Sequence, residues 1–157
     1  GFGGLNARSI KAHDLERCSM NHIDLAKAIS KIAHRGQRYG DHDYFSGHIE
    51  VVVENLERDA GKTTYGDVAV AYLHDVLEDT TFTAQDLLDL GVGPHIVETV
   101  RFLTRRHEIY TDYINRLSTD RSAALVKRAD LRANLEAPGS ESLKSRYIKA
   151  LAVLEKS

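Results

Sequence analysis

The chain has 157 residues, with 21 Lys and Arg against 23 Asp and Glu, a formal net charge of -2, 8 His and 1 Cys. That length suits one domain of roughly 100–200 residues with a real hydrophobic core. The near-neutral balance leaves no electrostatic footprint for nucleic acid, and one cysteine excludes an intramolecular disulfide or a thiolate-rich zinc site. The longest apolar run, Val68 to Leu73, is far short of the roughly 18–20 residues that span a bilayer. A bound metal would therefore be held by imidazole and carboxylate. The start of the chain has no basic region followed by an apolar core, so no secretory signal is expected there. With the lone thiol of Cys18, this points to a reducing, cytoplasmic location.

Residues 1–20 are polar and read as an arm or a short helix, and the domain is expected over 21–157. From Asn21 the pattern turns helical: Leu25, Ile29 and Ile32 recur at helical spacing, and Asn21 or Asp24 can cap the start. Gly36 to Gly47 is a break. A second helix carries Ile49, Val52, Val53 and Leu56 and stops at Asp59-Ala60-Gly61. A third is predicted from about Thr64 to Glu78, with an all-round apolar segment that marks a buried helix. Thr83 and Asp86 form a capping pair for a helix near Ala84 to Leu90, which Gly91 stops. Pro94 suits the first turn of a fifth helix bearing Ile96, Val97, Val100 and Leu103. Tyr110–Leu117, Ser122–Leu135 and Ser142–Leu154 supply three more. No segment alternates cleanly over strand length. The expected fold is all-α, a compact bundle of roughly seven or eight short helices.

The chemistry concentrates at the end of the third helix, in His74-Asp75-Val76-Leu77-Glu78-Asp79. On a continuous helix His74 stacks over Glu78 and Asp75 over Asp79. Burying uncompensated charge costs several kcal/mol, and neighbouring carboxylates raise one another's pKa. A divalent cation would resolve both; a solvated helix end is the plain alternative. Further ligands must come from other helices. His34 lies near the end of the first strong helix, where Ala26, Ser30 and Ala33 allow close approach. Asp130 sits on an apolar-faced helix with Asn134 one turn beyond. Taken singly, each is more often a capped, salt-bridged or solvent-facing side chain than a ligand.

Three ordered segments carry a resemblance: Ala33-His34-Arg35-Gly36-Gln37-Arg38, Leu73-His74-Asp75-Val76-Leu77-Glu78-Asp79-Thr80, and Val126-Lys127-Arg128-Ala129-Asp130-Leu131-Arg132-Ala133-Asn134-Leu135. The chain resembles the HD-domain phosphohydrolases, and within them the hydrolase domain of the RelA/SpoT alarmone enzymes and their small Mesh1-type relatives. The resemblance runs from about Asp24 to Leu154. It implies metal ligands at His34, His74, Asp75 and Asp130, catalytic carboxylates at Glu78 and Asp79, and substrate contacts at Asn134, Arg38, Arg35 and Tyr147. It implies one divalent cation, Mn²⁺, and hydrolysis of guanosine tetra- or pentaphosphate at the 3′ position to release pyrophosphate. Without room for a synthetase domain, the implied activity is degradation of alarmone.

The sequence departs from the family pattern at three places. Tyr44-Phe45-Ser46-Gly47-His48-Ile49 keeps the tyrosine and histidine but not the proline that often follows. The last motif reads Ala-Asp-Leu-Arg-Ala-Asn-Leu, and Leu25 stands where long members carry a base-contacting cation. The last change motivates an alternative substrate, such as NADPH or a nucleoside phosphate. A non-catalytic metal-dependent regulator is a further alternative, opposed by the intact Glu78 and Asp79. His48 reads as a core histidine behind the site, with a fifth ligand as the alternative. Gly61-Lys62-Thr63-Thr64 has Leu56 where a P-loop needs its first glycine and no strand before it, so it reads as a turn. The sequence leaves oligomeric state open.

Overall fold

The computed structural model describes residues 21–59, 61, 63–139 and 141–156. The expected N-terminal arm, residues 1–20, and Cys18 within it lie outside the described residues. The helices are α1 (His22–Ala33), α2 (Glu50–Asp59), α3 (Tyr65–Leu73), α4 (Val76–Asp79), α5 (Ala84–Asp89), α6 (Pro94–Leu103), α7 (Tyr110–Leu117), α8 (Arg121–Glu136) and α9 (Glu141–Glu155). The fold is all-α, and each segment expected to be helical is so, the third in two pieces.

Local signals explain the boundaries. The Asn21 side chain accepts from the Asp24 backbone N–H at 2.8 Å and starts α1. Thr64 with Asp67, and Thr83 with Asp86, form capping boxes for α3 and α5. Pro94 opens α6 from its first turn. Gly91 follows α5 with φ +99°, a conformation that favours glycine.

The helix α3 is the axis of the bundle. Every residue from Asp67 to Leu73 is buried, and α1, α2, α6 and α8 pack around it. That is the environment its all-round apolar sequence requires. Fully burying each of its Val and Leu side chains contributes roughly 1.5–3 kcal/mol. The α8 helix lies against α2, α3, α6 and α9. The C-terminal end of α3 therefore meets the middle of α8 inside the bundle.

The structure differs from the sequence expectation in two places. The predicted Thr64–Glu78 helix is broken: α3 stops at Leu73, Asp75 has φ -99° and ψ -3°, and α4 is a separate turn. The His74 ring accounts for the stop, because its Nδ1 donates to the Ala71 carbonyl at 2.7 Å and caps the last turn of α3. His74 and Glu78 thus do not stack on one continuous helix. The second difference lies in the 36–47 break, which contains a two-stranded antiparallel hairpin, β1 (Arg38–Tyr39) and β2 (His42–Asp43), turning at Gly40 with φ +60°. A π-helical turn, Phe45–Ile49, then leads into α2. No periodicity signal exists for strands of two residues.

Candidate metal centre

The site is built where the π-helical turn, the α3–α4 junction and the middle of α8 converge. His48 comes from the first, His74 and Asp75 from the second, and Asp130 from the third. One donor atom from each of these four side chains lies within 4.8 Å of the other three, so together they could hold a metal ion. His74 Nε2 is 3.1 Å from Asp75 Oδ2 and 3.4 Å from Asp130 Oδ1. His48 Nε2 is 2.9 Å from Asp130 Oδ1 and 3.5 Å from Asp75 Oδ2.

Hydrogen bonds with the protein hold three of these side chains in place, while His48 Nδ1 is buried without a partner. His74 Nδ1 donates to the Ala71 carbonyl, which leaves Nε2 as the nitrogen that faces the carboxylates; it is buried and has no hydrogen bond. Asp130 Oδ2 accepts from Lys127 Nζ at 2.8 Å. Asp75 Oδ2 accepts from the Tyr44 hydroxyl at 2.6 Å, and the same hydroxyl lies 3.4 Å from Asp79 Oδ2. An orphaned imidazole nitrogen facing two carboxylate oxygens fits a divalent cation of intermediate hardness.

His34 lies beside this cluster at the C-terminus of α1. It is buried, its Nδ1 lies 2.8 Å from Gln37 Oε1, and its Nε2 is buried without a hydrogen bond. Because the glutamine oxygen can only accept, the proton sits on Nδ1 and Nε2 carries a lone pair. Its ring centroid is 4.8 Å from that of Tyr44. His34 is not one of the four atoms that cluster within 4.8 Å.

The electrostatics follow from burial and opposite charge. Burial works against the Asp75 carboxylate, but His74 and His48 hold its pKa far below the ordinary range. Burial likewise opposes ionised Asp130, and Lys127, His48 and His74 hold it low. His74 is pushed up against the effect of its burial by Asp75 and Asp130. Burial lowers His34 despite the hydrogen bond to Gln37. Burial beside the Asp130 carboxylate pushes Tyr39 up to about 12.

Glu78 and Asp79 stand at the rim of the cluster with exposed side chains. Glu78 accepts a hydrogen bond from the Arg105 backbone N–H. Partial desolvation raises the pKa of each, and the Asp75 charge raises both further. Next to the cluster is a cavity of about 560 Å³ that Tyr39, Asn134, Lys144 and Tyr147 help to line. The Tyr39 hydroxyl donates to Asn134 Oδ1 at 2.6 Å, and its ring centroid is 4.7 Å from that of His48. Tyr39 therefore stands between the cavity and the cluster. Arg35 and Arg38 are exposed, and Arg38 donates to the Asp41 carbonyl within its own hairpin. Neither arginine lines that cavity.

No protein-family profile matches the chain. It is 32% identical over 119 residues to the GTP pyrophosphokinase rsh of Brucella melitensis biotype 1, a stretch covering 68% of this chain and 15% of that protein. The chain thus corresponds to a small part of that relative. Among solved structures it matches a metazoan ortholog of SpoT, described as hydrolyzing ppGpp with a role in starvation responses. The TM-score is 0.69 at 21% identity, over 87% of this chain and 85% of that one. The chain has an HD-type fold resembling the RelA/SpoT hydrolases.

Sequence reasoning brought His34, His74, Asp75 and Asp130 forward as one set; the last three converge in the cluster, and His34 lies beside it. It placed His48 behind the site, whereas the His48 ring nitrogen is inside the cluster. It assigned no role to Tyr39 or Lys127. Lys127 had one signal, its place three residues before Asp130 on a helix, where side chains meet. Tyr39 had none, because its contact with Asn134 spans 95 residues.

Proposed function

We propose that the chain is a metal-dependent hydrolase of a phosphorylated nucleotide, a (p)ppGpp 3′-pyrophosphohydrolase. The observation that carries the reading is the meeting of His74, Asp75 and Asp130 around orphaned imidazole nitrogens, with Glu78 and Asp79 at the rim. We assign the ligands as His34, His74, Asp75 and Asp130. His48 stands at hydrogen-bond length from Asp130 Oδ1 and orients that carboxylate. A bound divalent cation, Mn²⁺ by preference, would lower the pKa of water and polarise a phosphoryl oxygen.

The chain's own residues supply the rest. The raised pKa values of Glu78 and Asp79 make them better proton acceptors than ordinary carboxylates. The Arg105 N–H orients Glu78. Asn134 and Tyr147 in the neighbouring cavity hold the nucleoside, and Arg35 and Arg38 at the surface offset phosphate charge. Among the described residues no helix is long and apolar enough to cross a membrane, and a cytoplasmic location suits a nucleotide substrate.

The test is turnover with Mn²⁺ on a panel of guanosine tetraphosphate, NADPH and nucleoside phosphates. Pyrophosphate release from guanosine tetraphosphate is expected. Glu78→Gln should lower kcat by about 10²–10⁴-fold while metal content stays at the wild-type level. A folded, metal-loaded protein that releases no pyrophosphate overturns the reading.

A further inference from the structure

A second recess, of about 340 Å³, lies between α7 and α9. It opens on a different face of α9 from the one that carries Lys144 and Tyr147 into the larger cavity. Its volume is within the range of small-molecule sites, roughly 300–1,000 Å³. Its chemistry is one-sided. Arg146 and Lys149 are its charged residues, Tyr110, Thr111, Asn115 and Ser145 are among its neutral polar ones, Ile114 and Val153 are apolar, and no Asp or Glu lines it.

Neither cation there is neutralised. Among the described residues Arg146 and Lys149 form no ion pair. The Arg146 guanidinium lies 3.5 Å from the Tyr110 ring centroid, and its Nε is buried without a hydrogen bond. The Tyr110 hydroxyl is also buried without one. Buried donors of this kind are rare unless a partner completes them. Arg146, with a buried and unpartnered Nε, and the exposed Lys149, beside an apolar wall with no acidic lining residue, match an anionic head on an organic body.

We propose that this recess binds a small organic anion, phosphorylated or carboxylated, at a site separate from the metal cluster. The inference stands independently of the proposed hydrolase activity. The recess also adjoins the catalytic rim: the Arg105 guanidinium lies 5.3 Å from the same Tyr110 ring centroid, and the Arg105 N–H binds Glu78.

The test is an amide-shift titration of the full chain with phenyl phosphate, benzoate and the uncharged control benzyl alcohol. Saturable shifts are expected at residues 110–115 and 142–153 with one or both anions and not with the alcohol. The two anion arms distinguish a phosphate ligand from a carboxylate ligand. The double variant Arg146→Gln/Lys149→Gln should weaken binding about tenfold or more. Lys149 is exposed, so Lys149→Gln alone keeps the test valid if the double variant does not fold, with a smaller loss of affinity expected. Three results would each overturn the proposal: shifts confined to the metal cluster, equal shifts with the alcohol, or unchanged affinity in the variants.

Discussion

At the residue scale, the candidate metal centre depends on groups that touch the ligands as much as on the ligands themselves. Tyr44 is the clearest case. Its hydroxyl donates to Asp75 at 2.6 Å from a side chain that is itself buried. Removing that donor frees the carboxylate to rotate away from its facing donors without emptying the core, because Phe keeps the ring. Tyr44→Phe should therefore reduce divalent-metal affinity by about 10–100-fold, the usual effect of losing such a support, with little change in thermal midpoint. Metal titration by calorimetry beside a melting curve checks both parts; unchanged affinity refutes the role. His74 shows the same economy in one side chain: Nδ1 ends α3 and Nε2 faces the carboxylates.

At the element scale, the decisive piece is the short stretch between α1 and α2. The hairpin places Tyr39 on Asn134, and the π-helical turn swings His48 inward. These two pieces pack closely at Gly47. A Cβ added there would meet the Cβ of His42 at 2.6 Å, which is closer than such atoms approach. Since both atoms are at the root of a side chain, rotation of His42 gives no relief. Gly47→Ala should then cost about 1–3 kcal/mol, as overpacking does, and displace the hairpin from the π-helical turn. Urea unfolding would measure the cost, and amide shifts at 38–48 would locate it. A variant as stable as the parent would show that the two pieces are not locked together.

At the scale of the whole molecule, α3 and α8 are joined at their N-termini as well as in the centre. Asp67 is buried; its Oδ1 accepts from Ser122 Oγ at 2.6 Å, and its Oδ2 from Thr64 N–H at 3.1 Å and Arg121 Nη1 at 3.3 Å. Burial opposes the charge, yet the hydrogen bonds from Ser122 and Thr64 and the charge of Arg121 hold its pKa below the ordinary value. A lowered folded-state pKa contributes stability that is present above the unfolded value of about 3.9 and is lost as pH falls through the folded value. Asp67→Asn should cost about 1.5–3 kcal/mol near neutral pH, the range for hydrogen bonds to a charged group. The gap from wild type should close as the pH drops below about 4. Denaturant midpoints for both proteins across pH 3–7 test this, and a pH-independent gap would remove the charge from the account.

The helices were legible because their signals are local. The apolar spacing in α1, the capping boxes at Thr64 and Thr83, Pro94, and the apolar run of α3 each act within a few residues. His74, Asp75 and Asp130 could also be picked out, because charged groups on buried helices demand compensation. The sequence by itself therefore determined the all-α class and the buried character of α3, and it nominated His74, Asp75 and Asp130 together with His34, which lies beside the cluster. Only the tertiary structure decided where α3 breaks, that His48 reaches Asp130, that Tyr44 and Lys127 support the carboxylates, and that Tyr39 stands on Asn134. Most of these are contacts between side chains far apart in the chain. Their geometry depends on how α2, α3 and α8 pack, and no spacing along the sequence encodes a distance between helices.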